Sequence, residues 1–217
     1  EYTAACLAEV FSLEDIIKLI IYRAKLLNAT LPGAMLSVTG GEEEVIPLLN
    51  KNVSLAVVNT EQLLTLSGTV EAIDEIHKKL AKADSQSKKI LVKNALHSHL
   101  MEPIMQPFED YVAKLKPKFP QKRYISCITG DWIKDSEVTS PVYWSGHLRN
   151  TVRFKDSLNT FFKDQEIVPL EVGPGRGLEM FARQNPNRAN GQIPISLTRH
   201  PKENKDDDYI FLQAIGR

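Results

Sequence analysis

At 217 residues, with 42% apolar and 25% charged side chains, the chain suffices for one large domain, or for a core domain carrying a smaller inserted one, and nothing in it suggests disorder. Lysine plus arginine equal aspartate plus glutamate at 27 each, so no global field draws the protein to nucleic acid or an anionic membrane, and any anionic ligand must be held locally. Cys6 and Cys127 match no zinc or redox spacing, no apolar run approaches the roughly 18 to 20 residues that span a bilayer, and no leader precedes a cleavage site, so the cytoplasm is the expected location.

The chain opens on Glu1-Tyr2-Thr3-Ala4-Ala5-Cys6, already helical in pattern, and stops at Ala214-Ile215-Gly216-Arg217; both ends read as cuts through something larger. Ser12 followed by Glu14 and Asp15 signals a helix start, and Leu13, Ile16, Ile17, Leu19, Ile20 and Ile21 give that helix a broad apolar face, ending before Pro32-Gly33. The pattern then predicts a strand at 35–38, a helix at 42–50, strands at 53–59 and 62–67, a helix at 70–83 and a strand at 90–95. That β-α-β-β-α-β order is the ferredoxin-like arrangement, here as an insertion. Its polar turn, 84–89, precedes the last strand, and His97 stands just beyond that strand at a junction.

Beyond the junction, 103–115 reads as a helix, Tyr124 to Thr129 as a buried strand closed by Gly130, and the stretch from Val142 through Phe161 as helical. A strand at 167–172, a glycine-rich turn at 173–177, a helix from Leu178, a polar loop at 185–190, a short strand at 193–197 and a closing helix at 206–215 complete the order.

Glu171-Val172-Gly173-Pro174-Gly175-Arg176-Gly177 imitates the glycine loop of S-adenosylmethionine-dependent methyltransferases. Such an enzyme needs several strand-helix units after that loop, whereas only 40 residues follow Gly177, so a tight strand-to-helix turn whose glycines permit close packing is favoured. His97 and His99 alternate as strand ligands would, but no third histidine or cysteine cluster is near in sequence, and no metal is expected. His77, His147 and His200 read as surface or capping residues. Arg23 is either a cation set against the negative end of its helix or a two-pronged donor for a carboxylate.

Several short runs, in order, resemble the malonyl-CoA:acyl-carrier-protein acyltransferase domain of type I modular polyketide synthases. Glu1-Tyr2-Thr3-Ala4-Ala5-Cys6-Leu7-Ala8 and Val10-Phe11-Ser12-Leu13-Glu14-Asp15 are similar to the continuation of the family's Gly-His-Ser-x-Gly nucleophile elbow, which puts the serine three residues before Glu1. Ala56-Val57-Val58-Asn59, Leu66-Ser67-Gly68, Ile125-Ser126-Cys127-Ile128-Thr129-Gly130, Tyr143-Trp144 with His147-Leu148-Arg149, and Leu170-Glu171-Val172-Gly173 fall where such domains carry similar runs. Asn94-Ala95-Leu96-His97 resembles the four-residue specificity signature that ends in the catalytic histidine.

The resemblance implies an α/β fold: an α/β-hydrolase-like large subdomain, present in part as residues 1–32 and 97–217 with the start of a following linker, and a ferredoxin-like small subdomain at 33–96. It implies that His97 deprotonates a serine, which attacks an acyl-CoA thioester; the phosphopantetheine thiol of an acyl carrier protein then takes the acyl group. Arg23 is implied to bind the free carboxylate of a malonyl-type unit, Asn59 to belong to the substrate-side hydrogen-bonding set, and a backbone oxygen near Asp164 or Gln165 to orient the imidazole. Asn94 and Leu96 are implied to shape selectivity, Leu96 being large and apolar like the phenylalanine of malonyl-selective domains. No permanently bound cofactor is implied. The implied partners are the carrier protein, malonyl-CoA and neighbouring synthase domains such as the ketosynthase. Without its serine the 217-residue piece is expected to be inactive; the competing expectation is a degenerate, non-catalytic acyltransferase-like docking module.

Overall fold

The computed structural model describes residues 1–164 and 166–216, which pack as two compact units, Glu1–Ser157 and Leu158–Arg217. In the first unit, α1 (Tyr2–Leu7) leads into α2 (Leu13–Asn28), whose Ser12 Oγ accepts the Asp15 amide at 3.1 Å. Of the apolar residues on α2, Ile16 and Leu19 are buried while Ile17, Ile20 and Ile21 stay about half exposed, so the buried stripe is narrower than the composition suggests.

A four-stranded antiparallel sheet comes next, from β1 (Ala34–Thr39), β2 (Val53–Thr60), β3 (Leu63–Gly68) and β4 (Ser87–Ile90), in the order β2-β3-β1-β4. With α3 (Glu42–Val45) after β1 and α4 (Val70–Lys82) after β3, this is the expected ferredoxin-like topology. Leu36, Val38, Leu64, Leu66, Ile73 and Ile76 form its core. Two local expectations fail. The helix expected over 42–50 tightens after Val45 into a 3₁₀ turn, Ile46–Leu48, where Pro47 has no amide to continue the α-helical ladder. The last strand begins at Ser87 rather than Ile90: it is an edge strand, paired on one side with β1, and an edge tolerates Lys88 and Lys89 facing water. Residues 91–96 are therefore a connecting loop, fastened by the Gly33 amide donating to the Lys93 carbonyl at 3.0 Å. A Cβ on Gly33 would lie 2.4 Å from that of Ala95, so only glycine lets the loop pass this closely.

The remainder of the unit is helical: α5 (Glu102–Leu115), α6 (Asp135–Val138), α7 (Pro141–Arg149) and the start of α8 (Phe154–Phe161). Ala5, Leu19, Phe108, Val112, Trp144 and Leu148 are fully buried in one core. The strand expected at 124–129 is instead a turn closed by the Gly130 amide on the Ser126 carbonyl, with Ser126 Oγ accepting the amides of Ile128 and Thr129 at 3.2 Å. A buried serine offering its side chain to the backbone competes with a strand ladder.

In the second unit, β5 (Leu170–Glu171) and β6 (Ile195–Ser196) form a short parallel pair beside α9 (Gly177–Gln184), and α10 (Asp207–Ile215) closes the chain. Both strands are shorter than the pattern predicts. The glycine loop is no anion cradle: the Glu171 carboxylate already accepts the first free amides of α9, from Leu178 at 3.1 Å and Glu179 at 2.9 Å. Nor do Gly173, Gly175 and Gly177 serve close packing, because a Cβ on any of them meets nothing within 4 Å; the glycine requirement lies at Gly175, with φ +118°.

Candidate active site

His97 ends the loop from the sheet in a left-handed backbone conformation, φ +61°, that non-glycine residues adopt at a cost. The turn around it is stitched by Ser98, whose hydroxyl donates to the Ala95 carbonyl at 2.6 Å and accepts the Leu100 amide at 3.3 Å. The His97 amide donates to the Leu148 carbonyl at 2.9 Å, and its ring Nδ1 lies 2.8 Å from the Asn150 carbonyl. A carbonyl only accepts, so Nδ1 carries the proton and Nε2 presents a lone pair. Burial, together with the charges of Arg23 and His147, drives the proton affinity of His97 down to about 4 against the partial support of the Asn150 carbonyl. At neutral pH the ring is a neutral base.

Among the described residues the oxygen that orients the ring is the Asn150 carbonyl, not that of Asp164. The Asp164 carbonyl accepts from Gln192 Nε2 at 2.7 Å, and Gln165 lies outside the described residues. Asn150 sits where α7 meets the sheet: the Val152 amide donates to Ala56 at 2.8 Å, the Val58 amide to Val152 at 2.9 Å, and the Thr151 hydroxyl to Leu55 at 2.6 Å. Strand β2 thereby fixes the residues beside the carbonyl that sets the His97 tautomer.

Arg23, on α2, holds its guanidinium 5.7 Å from the centroid of the Tyr2 ring, and its Nε–H is buried without a hydrogen-bond partner. An unpaired buried donor on a cation whose charge reaches His97 is a ready receptor for an anionic group. Leu96 packs half-buried against the helical core. Asn94 has a different occupation: its Nδ2 donates to the Leu27 carbonyl at 2.8 Å and to Thr30 Oγ1 at 3.0 Å, holding the C-terminal end of α2. Asn59 is half-buried near the end of β2 and makes no side-chain hydrogen bond among the described residues. The structure thus brings Arg23 and His97 into one electrostatic neighbourhood, and assigns Asn94 to the frame around them.

A second polar cluster was not anticipated. Glu1, with 1% of its side chain exposed, accepts the Cys127 amide at 2.7 Å and the Tyr143 hydroxyl, and its Oε1 lies 3.5 Å from Nε2 of His147. Burial opposes the charge on Glu1, but the adjacent His147 and the hydrogen bonds from the Tyr143 hydroxyl and the Cys127 amide hold its carboxyl at about 2. Burial and the Glu1 carboxylate push the Cys127 thiol up to about 12. His147 is 6% exposed, so its reading as a surface residue is wrong: Trp144, Ser145, Gly146 and Leu148 are buried around it, and this stretch of α7 has no wet face. Glu1, Cys127 and His147 bear metal-ligating atoms within 4.8 Å of one another. His147 gives a different nitrogen to each neighbour, Nε2 3.5 Å from the carboxylate and Nδ1 3.6 Å from the Cys127 sulfur.

On this α/β scaffold with its ferredoxin-like unit, a histidine with a free ring nitrogen shares its field with a half-buried arginine. The acyl transferase domain family model matches residues 1–213, and the chain belongs to that family. It is 31% identical over 216 residues to a phenolphthiocerol/phthiocerol polyketide synthase of Mycobacterium tuberculosis, spanning all of this chain but 14% of that protein. The crystal structure of the acyltransferase domain of SpnD in complex with 2-(pent-4-yn-1-yl)malonyl superposes with a TM-score of 0.94 at 31% identity, covering all of this chain and 52% of that one. The acyltransferase domain of ZmaA gives 0.89 at 35% identity, covering 99% and 50%. No described helix is long and apolar enough to cross a membrane.

Proposed function

We propose that this chain supplies the base and the carboxylate receptor of a polyketide-synthase acyltransferase that moves a malonyl-type extender unit from coenzyme A, through an acyl-serine ester, to the phosphopantetheine of an acyl carrier protein. The observation that carries this reading is the His97 ring, held by the Asn150 carbonyl with a free, neutral Nε2, and the Arg23 guanidinium, its Nε–H without a partner, in its field. His97 Nε2 takes the serine proton as the hydroxyl attacks the thioester carbonyl, and returns it to the departing CoA thiolate. In the second half it takes the proton of the carrier thiol, which attacks the ester, and returns it to the serine. Arg23 binds the free malonyl carboxylate, and Leu96 crowds a methyl branch on the substrate.

The chain spans about half of the solved domains it matches, and the serine is supplied, in this reading, by the part of the domain that these residues do not span. The carrier protein, a ketosynthase neighbour and a cytoplasmic setting belong to the same reading. A docking module that had lost catalysis would have no need to keep His97 at φ +61° with its tautomer fixed.

Treatment of the full-length protein with malonyl-CoA, followed by the carrier protein, tests this. A malonyl adduct mapped to a serine and then discharged to the carrier is expected. A protein that binds the carrier yet never acquires the adduct would establish the docking module instead.

A further inference from the structure

Glu1 and His147 lie outside the chemistry just assigned, yet both side chains are nearly fully buried against each other, one of them on the helix that holds the base. We propose that Glu1, with Tyr143 and His147, is a positioning clamp that sets the rotation and depth of α7 and thereby places the two carbonyls holding the base His97. This rests on the reading of His97 as the base.

The geometry of α7 is decisive. Tyr143 and His147 are four residues apart and so lie one above the other on successive turns of the helix. One carboxylate, on Glu1, faces both: the Tyr143 hydroxyl donates to Oε1, and the buried Nε2 of His147, which makes no hydrogen bond, lies 3.5 Å from the same oxygen. The other oxygen, Oε2, is fixed by the Cys127 amide at 2.7 Å, and Tyr143 also hydrogen-bonds with Ser126 Oγ at 2.6 Å. A helix hydrogen-bonded on one turn and packed against the same carboxylate on the next resists rotation and sliding. The residue after His147 is Leu148, whose carbonyl receives the His97 amide, and two further on is Asn150, whose carbonyl receives Nδ1. A rotation of α7 by one residue, about 100°, would turn both carbonyls away.

The helix needs such an anchor. It has nine residues and contains Gly146, which costs about 1 kcal/mol relative to alanine within a helix. A buried carboxylate paired with an imidazole is a poor source of net stability, because desolvation offsets the attraction, whereas it fixes register well. Position adds a second consequence. The proposed function puts the serine shortly before Glu1, so the clamp joins the segment of the nucleophile to the helix that holds the base, and sets the distance between them.

The test compares the full-length protein with Glu1→Gln, His147→Gln and Tyr143→Phe, the last removing only a hydroxyl and so keeping the test alive should the buried-charge variants not fold. Two readouts are followed: the rate and malonyl-CoA KM of acyl-enzyme formation, and the ¹⁵N resonance of the Nδ1–H that His97 donates to Asn150. In folded variants the rate is expected to fall about ten- to a hundredfold with KM changed by less than about twofold, while the His97 resonance moves or broadens. Folded variants with an unaltered His97 resonance, whether or not the rate falls, would overturn the clamp. Failure of the underlying reading shows differently: His97→Ala would then leave acyl-enzyme formation intact, whatever the resonance does.

Discussion

The Asn150 carbonyl accepts the Nδ1 proton of His97 at 2.8 Å, across 53 positions of sequence. This contact decides which ring nitrogen is free, and the burial around it decides that the nitrogen is unprotonated at neutral pH.

The pH dependence has a definite sign. The affinity of His97 falls from 6.5 in a free side chain to about 4 in the fold, so the folded state resists a proton that the unfolded state accepts. The stability this contributes is complete above pH 6.5 and is lost as the pH falls from 6.5 toward 4. Glu1 acts in a lower window, from 4.5 to about 2. Denaturant melts across a pH series should show stability declining below 6.5, and His97→Gln should flatten that upper limb while sparing the lower one. A variant with the same slope between 6.5 and 4 would contradict the assignment.

Arg23→Ala should separate substrates. A guanidinium that binds a free carboxylate matters for malonyl and not for acetyl, so malonyl transfer is expected to drop about a hundredfold or more with acetyl transfer little changed. Equal loss on both, measured as kcat/KM, would remove the carboxylate role.

Leu96 and Asn94 are neighbours with separable effects. Leu96→Ala should relax discrimination against a methyl-branched extender by about tenfold, the scale of one methyl group in a tight pocket. Asn94→Ala should instead lower stability by about 1–2 kcal/mol, by removing its two hydrogen bonds to the end of α2, although the Leu27 carbonyl keeps the Thr30 amide and hydroxyl as donors, with the malonyl-to-methylmalonyl ratio unchanged. Competition assays and thermal melts distinguish the two.

Gly33→Ala should disturb the approach to His97 without touching the site. The added methyl collides with the Ala95 Cβ, and overpacking of this kind costs about 1–3 kcal/mol. The expected signature is a lower Tm together with slower acylation.

Local chemistry made much of the fold legible. Ser12 caps its helix as its type requires, and the alternating periods over 34–82 specify the ferredoxin-like order, because each element buries one face. Edges and turns were less legible: β4 carries Ser87-Lys88-Lys89 because an edge strand is half solvated, and Ser126 folds 124–130 into a turn by bonding its own backbone. At the candidate site, His97 and Arg23 are singled out by residue type and by family likeness. Asn150 does not, since its contribution is a carbonyl that every residue has. His147 hid for another reason: four neighbours on α7 are buried with it, which could have shown that the helix has no wet side, but its partner Glu1 stands 146 residues earlier.

The most direct test of the account is the pre-steady-state rate of serine acylation by malonyl-CoA in the full-length protein, native against His97→Ala, at neutral pH. The account predicts a loss of about a hundred- to ten-thousandfold in that rate, the scale of general-base catalysis, with malonyl-CoA still bound. Acylation of the variant at the native rate would contradict it.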